Sequence, residues 1–372
     1  MKINYLANYK EDRRYSMNNY VDDLCQYQKE FTNFEINKFV PKIKLIYKIL
    51  PKIWAHRFSR YVSYSNLIKK LPYYDVTHVI DHSYAHLVNN IKSKVKILTV
   101  HDLIPLVFEG KNQIDLYNLD RKNKSKKKYL FRYSTKFFKY YDKVIAVSQN
   151  TKKDILRFTD CPESKINVLH LNIPKDNFNS KLVDKDQICK KFNIPLKPKK
   201  ILIGGNGFYK NHITSLRVFE NLLEKKFDIC LIWIGHKKEI ENIKNFKFIN
   251  KIYKIPIISK TDLPSIYKIC DILLFPSLYE GMGILPIEAM KTGIPIVTSN
   301  TSSIPEIVGN VGIKCDPEDV NEISQKIIHL LSDEKYYNQK VKEGLERAKL
   351  FNYDNMHKQI INIYKEELSK KI

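Results

Sequence analysis

The chain has 372 residues, of which 43% are hydrophobic, with 24 Tyr, 18 Phe and a formal net charge of +24. That length exceeds one ordinary core and suits two α/β domains, and so much apolar material excludes wholesale disorder. The six cysteines include no C-x-x-C pair, which argues against a disulfide scaffold or a zinc centre and for a reducing compartment.

The opening MKINYLANYKEDRRY holds a short strand, KINYLA, and lacks the long apolar stretch of a signal peptide. Since no apolar run approaches the roughly 20 residues that span a bilayer, a cytoplasmic protein is expected, peripheral on the inner face of a membrane at most. A helix is expected next, with Ser16 as its N-cap. Residues 36–74 carry nine Lys or Arg and no Asp or Glu. They also carry Tyr47, Trp54, Phe58, Tyr61 and Tyr64 among Ile and Leu, which suits an interfacial surface for anionic lipid. A second basic cluster, RKNKSKKK at 121–128, precedes the aromatic-rich YLFRYSTKFFKYY. Part of this Lys excess accompanies an excess of Ile, Asn and Tyr, as an AT-rich genome would give.

Apolar runs THVID, KVKILTV, DKVIAVS and KINVLHL follow, separated by helix-like segments. After residues 174–199, a charged stretch with three prolines, the pattern restarts with KKILIGG, FDICLIWIG, FKFIN, DILLFPS, GIPIVTS and VGIKC. Such runs predict buried parallel strands, and two series predict two doubly wound sheets. The boundary is set near residue 180: an N-terminal domain 1–180, a C-terminal domain 181–352, and a final helix 353–372. That helix presents Met356, Ile360, Ile361 and Tyr364 on one face and is expected to pack back toward the N-terminal domain.

Ligands of open α/β sheets sit beyond the carboxyl ends of strands, so the residues there are the candidates. In DILLFPSLYEGMGILPIEAMKTGIPIVTSNTSSIPEIVG (271–309) a strand ends at Pro276 and a loop with Gly281 and Gly283 leads to a helix start near Pro286. Gly293 suits the residue just past that helix. The free N–H groups at the helix start can hold phosphate, and Glu280 and Glu288 bracket the loop. Glu288 also fits as an acidic residue favoured in a first helical turn. Ser303 and Glu306 fit a capping box. In ILIGGNGFYKNHITSL (201–216) a strand runs into a Gly-rich loop and a helix, which makes Gly205, Asn206 and Lys210 a second group of candidates. In TVHDLIPLVF (99–108) His101 and Asp102 end a strand, and Asp81 and His82 end another, on what would be the acceptor side. His101 also reads as a satisfied core histidine, and Asp102 and Ser148 as caps. His82 and His86 share helical spacing without a nearby carboxylate, so no metal site is expected. Asp184-Lys-Asp186, the one D-x-D, lies in the linker rather than at a strand end.

The 271–309 stretch resembles the signature of the family 4 glycosyltransferases of the GT-B fold, matching it at Glu280, Gly281, Gly283, Glu288, Ala289, Met290, Gly293 and Pro295. Met282 replaces a common aromatic and Leu285 a common proline, which leaves backbone roles intact. The resemblance implies two Rossmann-like domains facing a central cleft. It implies that Glu280 receives hydroxyls of a donor sugar and that Glu288 holds ribose hydroxyls. It sets the N–H groups of Met282, Gly283 and Ile284 against the sugar and diphosphate. Lys210-Asn211 matches half of a basic element that in the family also has an Arg, where this chain has Asn206 or Gly207; Lys210 is thus the candidate for the diphosphate. His101 and Asp102 resemble the family's HD-L-P loop, which gives His101 a contact to the donor sugar. Near the start, ANYKEDRRYSMNNY with Arg13 and Arg14 departs from the Gly-Gly pair of many relatives.

The expected activity is metal-independent, cofactor-free, retaining transfer of a hexose from a nucleotide-sugar co-substrate to a glycan or to a lipid-linked or other membrane-associated acceptor. The alternatives are a sugar phosphorylase or epimerase of the same fold, or a non-catalytic nucleotide- or lipid-binding subunit. No nucleic-acid partner is expected, for want of zinc-finger or RNP motifs.

Overall fold

The computed structural model describes residues 1–12, 14–42, 52–108, 124–172, 178, 184–235 and 246–371. The chain forms two compact units, one of Met1–His170 with Asp354–Ile372 and one of Leu171–Tyr353.

The first unit is built on a parallel sheet of β1 (Lys2–Leu6), β2 (Glu35–Phe39), β3 (Tyr74–Val79), β4 (Ser93–Val100), β5 (Lys143–Ala146) and β6 (Ile166–Val168), in the order β2-β1-β3-β4-β5-β6. Its central strands are buried on both faces: Leu6, Val79, Leu98, Val100 and Val144 lie in one core, while polar Asn4, Thr77, His78 and Thr99 are buried as well. β2 was not among the expected strands. EINKF has only two apolar residues, Ile36 and Phe39, among Glu35, Asn37 and Lys38 at a half-buried sheet edge, and no apolar run marks it.

The helices of this unit are α1 (Tyr15–Phe31), α2 (Lys52–Phe58), α3 (Tyr64–Ile68), α4 (Ile104–Val107), α5 (Lys124–Thr135) and α6 (Gln149–Phe158). Ser16 is not the N-cap of α1. Arg14 holds that position without a capping hydrogen bond, its side chain being drawn instead to Asp81. α2 and α3 join through a π-helical turn, Ser59–Ser63, so that Ala55, Ser59 and Ser63 are buried on one face while Trp54, Phe58 and Val62 are exposed on another. Ser148 is the N-cap of α6 and accepts from the Thr151 N–H at 3.0 Å. The last helix, Tyr353–Ser369, returns to this unit, with Met356, Ile360, Ile361 and Tyr364 buried. The Tyr364 hydroxyl lies 2.6 Å from His78 Nδ1 and 3.2 Å from the Tyr5 hydroxyl, which fastens the helix to β1 and β3.

The second unit has β7 (Lys199–Gly204), β8 (Ile229–Ile234), β9 (Ile252–Ile255), β10 (Ile272–Phe275), β11 (Ile296–Ser299) and β12 (Ile313–Cys315), in the order β12-β11-β10-β7-β8-β9, all parallel. FKFIN is not a strand. It makes a turn and enters a 3₁₀ helix at Ile249, and the following IYKI pairs with β8 instead. The helices here are α7 (Lys185–Lys191), α8 (His212–Glu224), α9 (Leu263–Ile269), α10 (Ile284–Thr292), α11 (Ile304–Val308), α12 (Val320–Ser332) and α13 (Glu334–Ala348). Asp184 caps α7, accepting from the Asp186 and Gln187 N–H groups, which accounts for the D-x-D in the linker.

Both sheets reverse their winding at one point. In the first unit the reversal lies between β1 and β3, and in the second between β7 and β10. The carboxyl ends of those strand pairs leave crevices where loops diverge, the general ligand position of doubly wound sheets.

Candidate functional site

In the second unit the reversal brings together the loops that follow β7 and β10. Gly205 (φ +94°) and Gly207 (φ +109°) take left-handed backbone that other residues rarely adopt, and they turn the chain sharply after β7. Lys210 then folds back over Gly205, where any Cβ would sit 2.6 Å from Lys210 Cε. Its ammonium meets Glu280 Oε1 at 2.7 Å, with both side chains about nine-tenths buried. The same ammonium lies 5.0 Å from the centre of the Phe275 ring. A cation from the β7 loop and a carboxylate from the β10 loop therefore neutralise each other at the switch point.

The β10 loop is shaped by groups to which the sequence assigned no such role. Asn211, in left-handed backbone at φ +54°, donates its amide to the carbonyls of Pro276 (3.1 Å) and Pro317 (2.7 Å). The Leu278 N–H donates to the Tyr209 carbonyl at 2.7 Å. The hydroxyls of Ser299 and Thr301 bond the Ser277 carbonyl at 2.7 and 3.1 Å. Ser302 accepts from the Glu280 N–H at 2.9 Å. Ser303 is not half of a capping box. It makes no side-chain cap on α11 and donates to the carbonyls of Glu280 and Met282, each at 3.0 Å. The SNTSS stretch, dull in sequence, is thus the frame on which Glu280 and the entry to α10 are built.

Gly283 (φ +93°) sets the start of α10 at Ile284, and Gly293 (φ +75°) ends it. The first turn of α10 consequently directs its unpaired N–H groups toward the switch point, where a helix start favours an anion. One turn further on, Glu288 is buried and accepts a hydrogen bond from the Tyr267 hydroxyl of α9 at 2.6 Å. Burial lifts the Glu288 carboxyl to about 7, against the lowering effects of Tyr267, Lys291 and Lys210. Burial also brings Lys291 down to about 8, with Glu288 opposing, and Lys291 donates to Asn172 at 2.8 Å. Asn206 is exposed on the same loop as Gly205, and Met282 is buried. His212, whose ring nitrogen meets the Gly205 carbonyl at 3.0 Å, is held down to about 4 by burial.

In the first unit the reversal gathers Asp81 after β3 and the loop after β1. Asp81 is fully buried. It accepts from Asn8 at 2.7 Å, from Arg14 at 2.8 Å, and from the Ser83 N–H and hydroxyl at 2.8 and 2.6 Å. Burial alone would raise its pKa, but Arg14, His82 and Arg60 hold the carboxyl far below the usual range. His82, also buried, is pushed down to about 3 by desolvation, and its Nδ1 accepts from the His101 N–H at 3.3 Å. The carboxyl of Asp81 and the ring of His82 are thus committed to the fold of this unit. His101 is half-buried, with Nε2 donating to the Ile80 carbonyl at 2.9 Å, which leaves Nδ1 as the acceptor nitrogen. Burial lowers its pKa, so the ring is neutral near pH 7. Asp102 caps the turn before α4, accepting from the Ile104 N–H at 3.2 Å. Nearby, Asp12 bonds His56 and Tyr84, while Arg60 donates to the Ser83 carbonyl at 2.8 Å and stacks 4.2 Å from the Tyr84 ring. The sequence offered one sign of this cluster, the Arg13-Arg14 pair in the first loop; Arg13 lies outside the described residues.

Comparison with known proteins places both units. The family model described as Glycosyltransferase Family 4 matches residues 21–174, and the one described as Glycosyl transferases group 1 matches residues 184–347. O-antigen chain mannosyltransferase B of Escherichia coli is 28% identical over 229 residues, covering 60% of each chain. Serotype-specific mannosyltransferase WbdA of Escherichia coli is 25% identical over 283 residues, which cover 70% of this chain and 32% of that protein. The chain therefore matches between about a third and three fifths of these relatives' length. Among solved structures, Alr3699/HepE of Anabaena in complex with UDP-glucose superposes with a TM-score of 0.74 at 13% identity, over 98% of this chain and 100% of that one, a likeness of fold.

Proposed function

We propose, for a chain that belongs to the family 4 glycosyltransferases of the GT-B type, that the second unit binds a nucleoside-diphosphate sugar at its β7/β10 switch point and that the protein transfers that sugar with retention of configuration. The observation that carries this reading is the Lys210–Glu280 pair standing at the start of α10. Breaking the sugar–phosphate bond develops charge on the departing diphosphate. Preorganised N–H groups and a cation aimed there lower the barrier. Lys210 supplies the cation, and the N–H groups of Met282, Gly283 and Ile284 supply the donors. A diphosphate at Lys210 competes with Glu280 for the ammonium, and the hydroxyls of the sugar give Glu280 back the donors it loses. Glu288 holds the ribose hydroxyls, and Gly205 and Asn206 let the phosphates approach backbone. This assignment routes no step through a metal ion or a further cofactor.

Asp81, His82 and Asp102 are assigned to shaping the acceptor side of the first unit. His101 is the residue of that unit expected to touch substrate, through Nδ1. The relatives' names make a nucleoside-diphosphate mannose the first donor to test. The acceptor is assigned to glycans, free or lipid-linked, and the exposed aromatic face of α2 to contact with an anionic membrane. The test is turnover with an α-linked donor, with the new linkage read by NMR. An α-linked product is expected. A β-linked product would reject retention, and tight nucleotide binding without turnover would favour a non-catalytic binding subunit.

A further inference from the structure

The Glu288 carboxyl has an environment that goes beyond holding two hydroxyls. Its side chain is buried, and among the described residues Tyr267 is the one hydrogen-bond donor to it, at 2.6 Å on Oε2. Tyr267 is itself immobilised: it is buried in α9, with the Phe178 ring edge-on at 5.9 Å. Burial, reinforced by the neighbouring carboxylate, holds its phenol protonated well above the ordinary tyrosine range, so the phenol keeps a proton to donate to the ionised carboxylate. Fixing Oε2 turns Oε1 to one direction, which is what recognition of a vicinal diol requires of a carboxylate.

We propose that Tyr267 is a positioning residue for the nucleotide: its hydroxyl clamps Glu288 so that the free carboxylate oxygen receives the ribose hydroxyls, and ribonucleotide affinity then follows the ionisation of Glu288. This rests on the donor-site reading above. Among the described residues, the groups facing Glu288 are Tyr267 from α9, Lys291 from its own helix and Lys210 from the β7 loop. With the carboxyl lifted to about 7 by burial, a modest change in these neighbours moves its charge within the physiological range. Removing the Tyr267 hydroxyl takes away a donor that favours the charged form, so the carboxyl loses its proton only at higher pH.

The experiment measures affinity for UDP and GDP, and for their 2′,3′-dideoxy analogues, by calorimetry between pH 5.5 and 7.5 on the full chain and on Tyr267→Phe and Glu288→Gln. The wild type should bind one of the ribonucleotides more tightly as pH rises through about 7. Tyr267→Phe should bind it roughly tenfold more weakly at pH 7.5, with its pH dependence displaced upward, and should match the wild type for the dideoxy analogue. Glu288→Gln cannot ionise there and serves as the baseline for titration of the nucleotide's own phosphate. If Tyr267→Phe kept the wild-type affinity and profile, or lost both nucleotides equally, the positioning role would be overturned while the donor site stood. A wild-type profile no steeper than that of Glu288→Gln overturns it too, and needs no Tyr267 variant to fold. Binding of no nucleotide at all would overturn the donor-site reading, and this inference with it.

Discussion

Lys210 and Glu280 are two opposite charges held out of water by one another, 2.7 Å apart. Removing either strands its partner, which for buried pairs costs about 3–5 kcal/mol. We therefore expect Lys210→Ala and Glu280→Ala each to lower stability, and the pair Lys210→Met with Glu280→Gln to recover much of the loss in urea melts. Activity should not follow stability. Lys210→Ala should lose of order 10²-fold in turnover, as for loss of one donor to a developing negative charge, and the double variant should remain as slow. Recovery of turnover in the double variant would remove Lys210 from the chemistry. The buried histidines set a second expectation. Desolvation brings His78 and His82 down to about 3 and His86 and His212 to about 4, so all four stay neutral in the fold. In the unfolded chain they take up protons below about 6.5. Their contribution is complete above that pH and is lost as pH falls from about 6.5 toward 4. Urea midpoints should hold from pH 8 to 7 and fall between 6.5 and 5, and a flat profile there would contradict these assignments.

At the scale of elements, the site depends on how one loop is hung. Ser303 alone ties the carbonyls of Glu280 and Met282 to the start of α11. Each such bond contributes about 1 kcal/mol to stability, but both fix backbone that faces the switch point. Ser303→Ala should thus cost about 1–2 kcal/mol in stability, while turnover falls more steeply than that fraction of unfolded chain explains. Equal wild-type turnover at a lowered melting temperature would make Ser303 a purely structural residue. Gly205→Ala tests the other loop. An L residue is strained at φ +94°, and the new Cβ also pushes the end of Lys210 away from Glu280, so Gly205→Ala should lower the urea midpoint and donor affinity together. How much of this was legible depended on where the signal resided. Ten of the eleven strands expected do form, most of them short apolar runs that length and flanking turn residues mark as buried strands; FKFIN failed because its apolar residues pack from a turn. The loop glycines were visible because backbone geometry restricts the residues allowed, and the Glu280 to Glu288 spacing was visible through its resemblance to the family signature. The pairing of Lys210 with Glu280, of Tyr267 with Glu288, and of Arg14 with Asp81 was not, because each joins loop or helix residues far apart in sequence whose adjacency exists only once the sheet order is set. The hydroxyls of SNTSS were invisible for the opposite reason: Ser and Thr occur in every loop, and only geometry tells a frame from a surface.

For the whole molecule, a net charge of +24 speaks to partners rather than to fold. No helix among the described residues is long and apolar enough to cross a membrane. The expected interfacial surface at residues 36–74 is seen in part. Lys44, Tyr47 and Lys48 lie outside the described residues, as do residues 121–123 of the second cluster, and the side chains of Lys52 and Lys124–Lys128 are likewise not described. Of the aromatics proposed for that surface, Tyr64 is instead buried in the core and bonds the Ala7 carbonyl. Trp54 and Phe58 do face solvent, at 61% and 42% exposure, and Val62 continues their row one turn on. This i, i+4, i+8 stripe, with Arg57 beside the Trp54 ring at 6.0 Å and Lys42, Lys69 and Lys70 exposed nearby in sequence, has the composition of an interfacial helix. The exposed rings of Tyr129, Tyr133 and Tyr140 follow the second basic cluster. Apolar rings entering the headgroup boundary and cations meeting lipid phosphate reinforce one another, each cation contributing about 1 kcal/mol near an anionic surface and less as salt rises. The protein should therefore sediment with phosphatidylglycerol vesicles at low salt, release at high salt, and ignore phosphatidylcholine vesicles. Trp54→Ser with Phe58→Ser should weaken sedimentation far more than it lowers the urea midpoint, because both rings face solvent. Replacing Lys42, Lys69 and Lys70 by Glu should abolish the preference for anionic lipid. Equal recovery with both vesicle types would reject the electrostatic attraction, and full recovery of the Trp54 and Phe58 variant would reject this face as the point of contact.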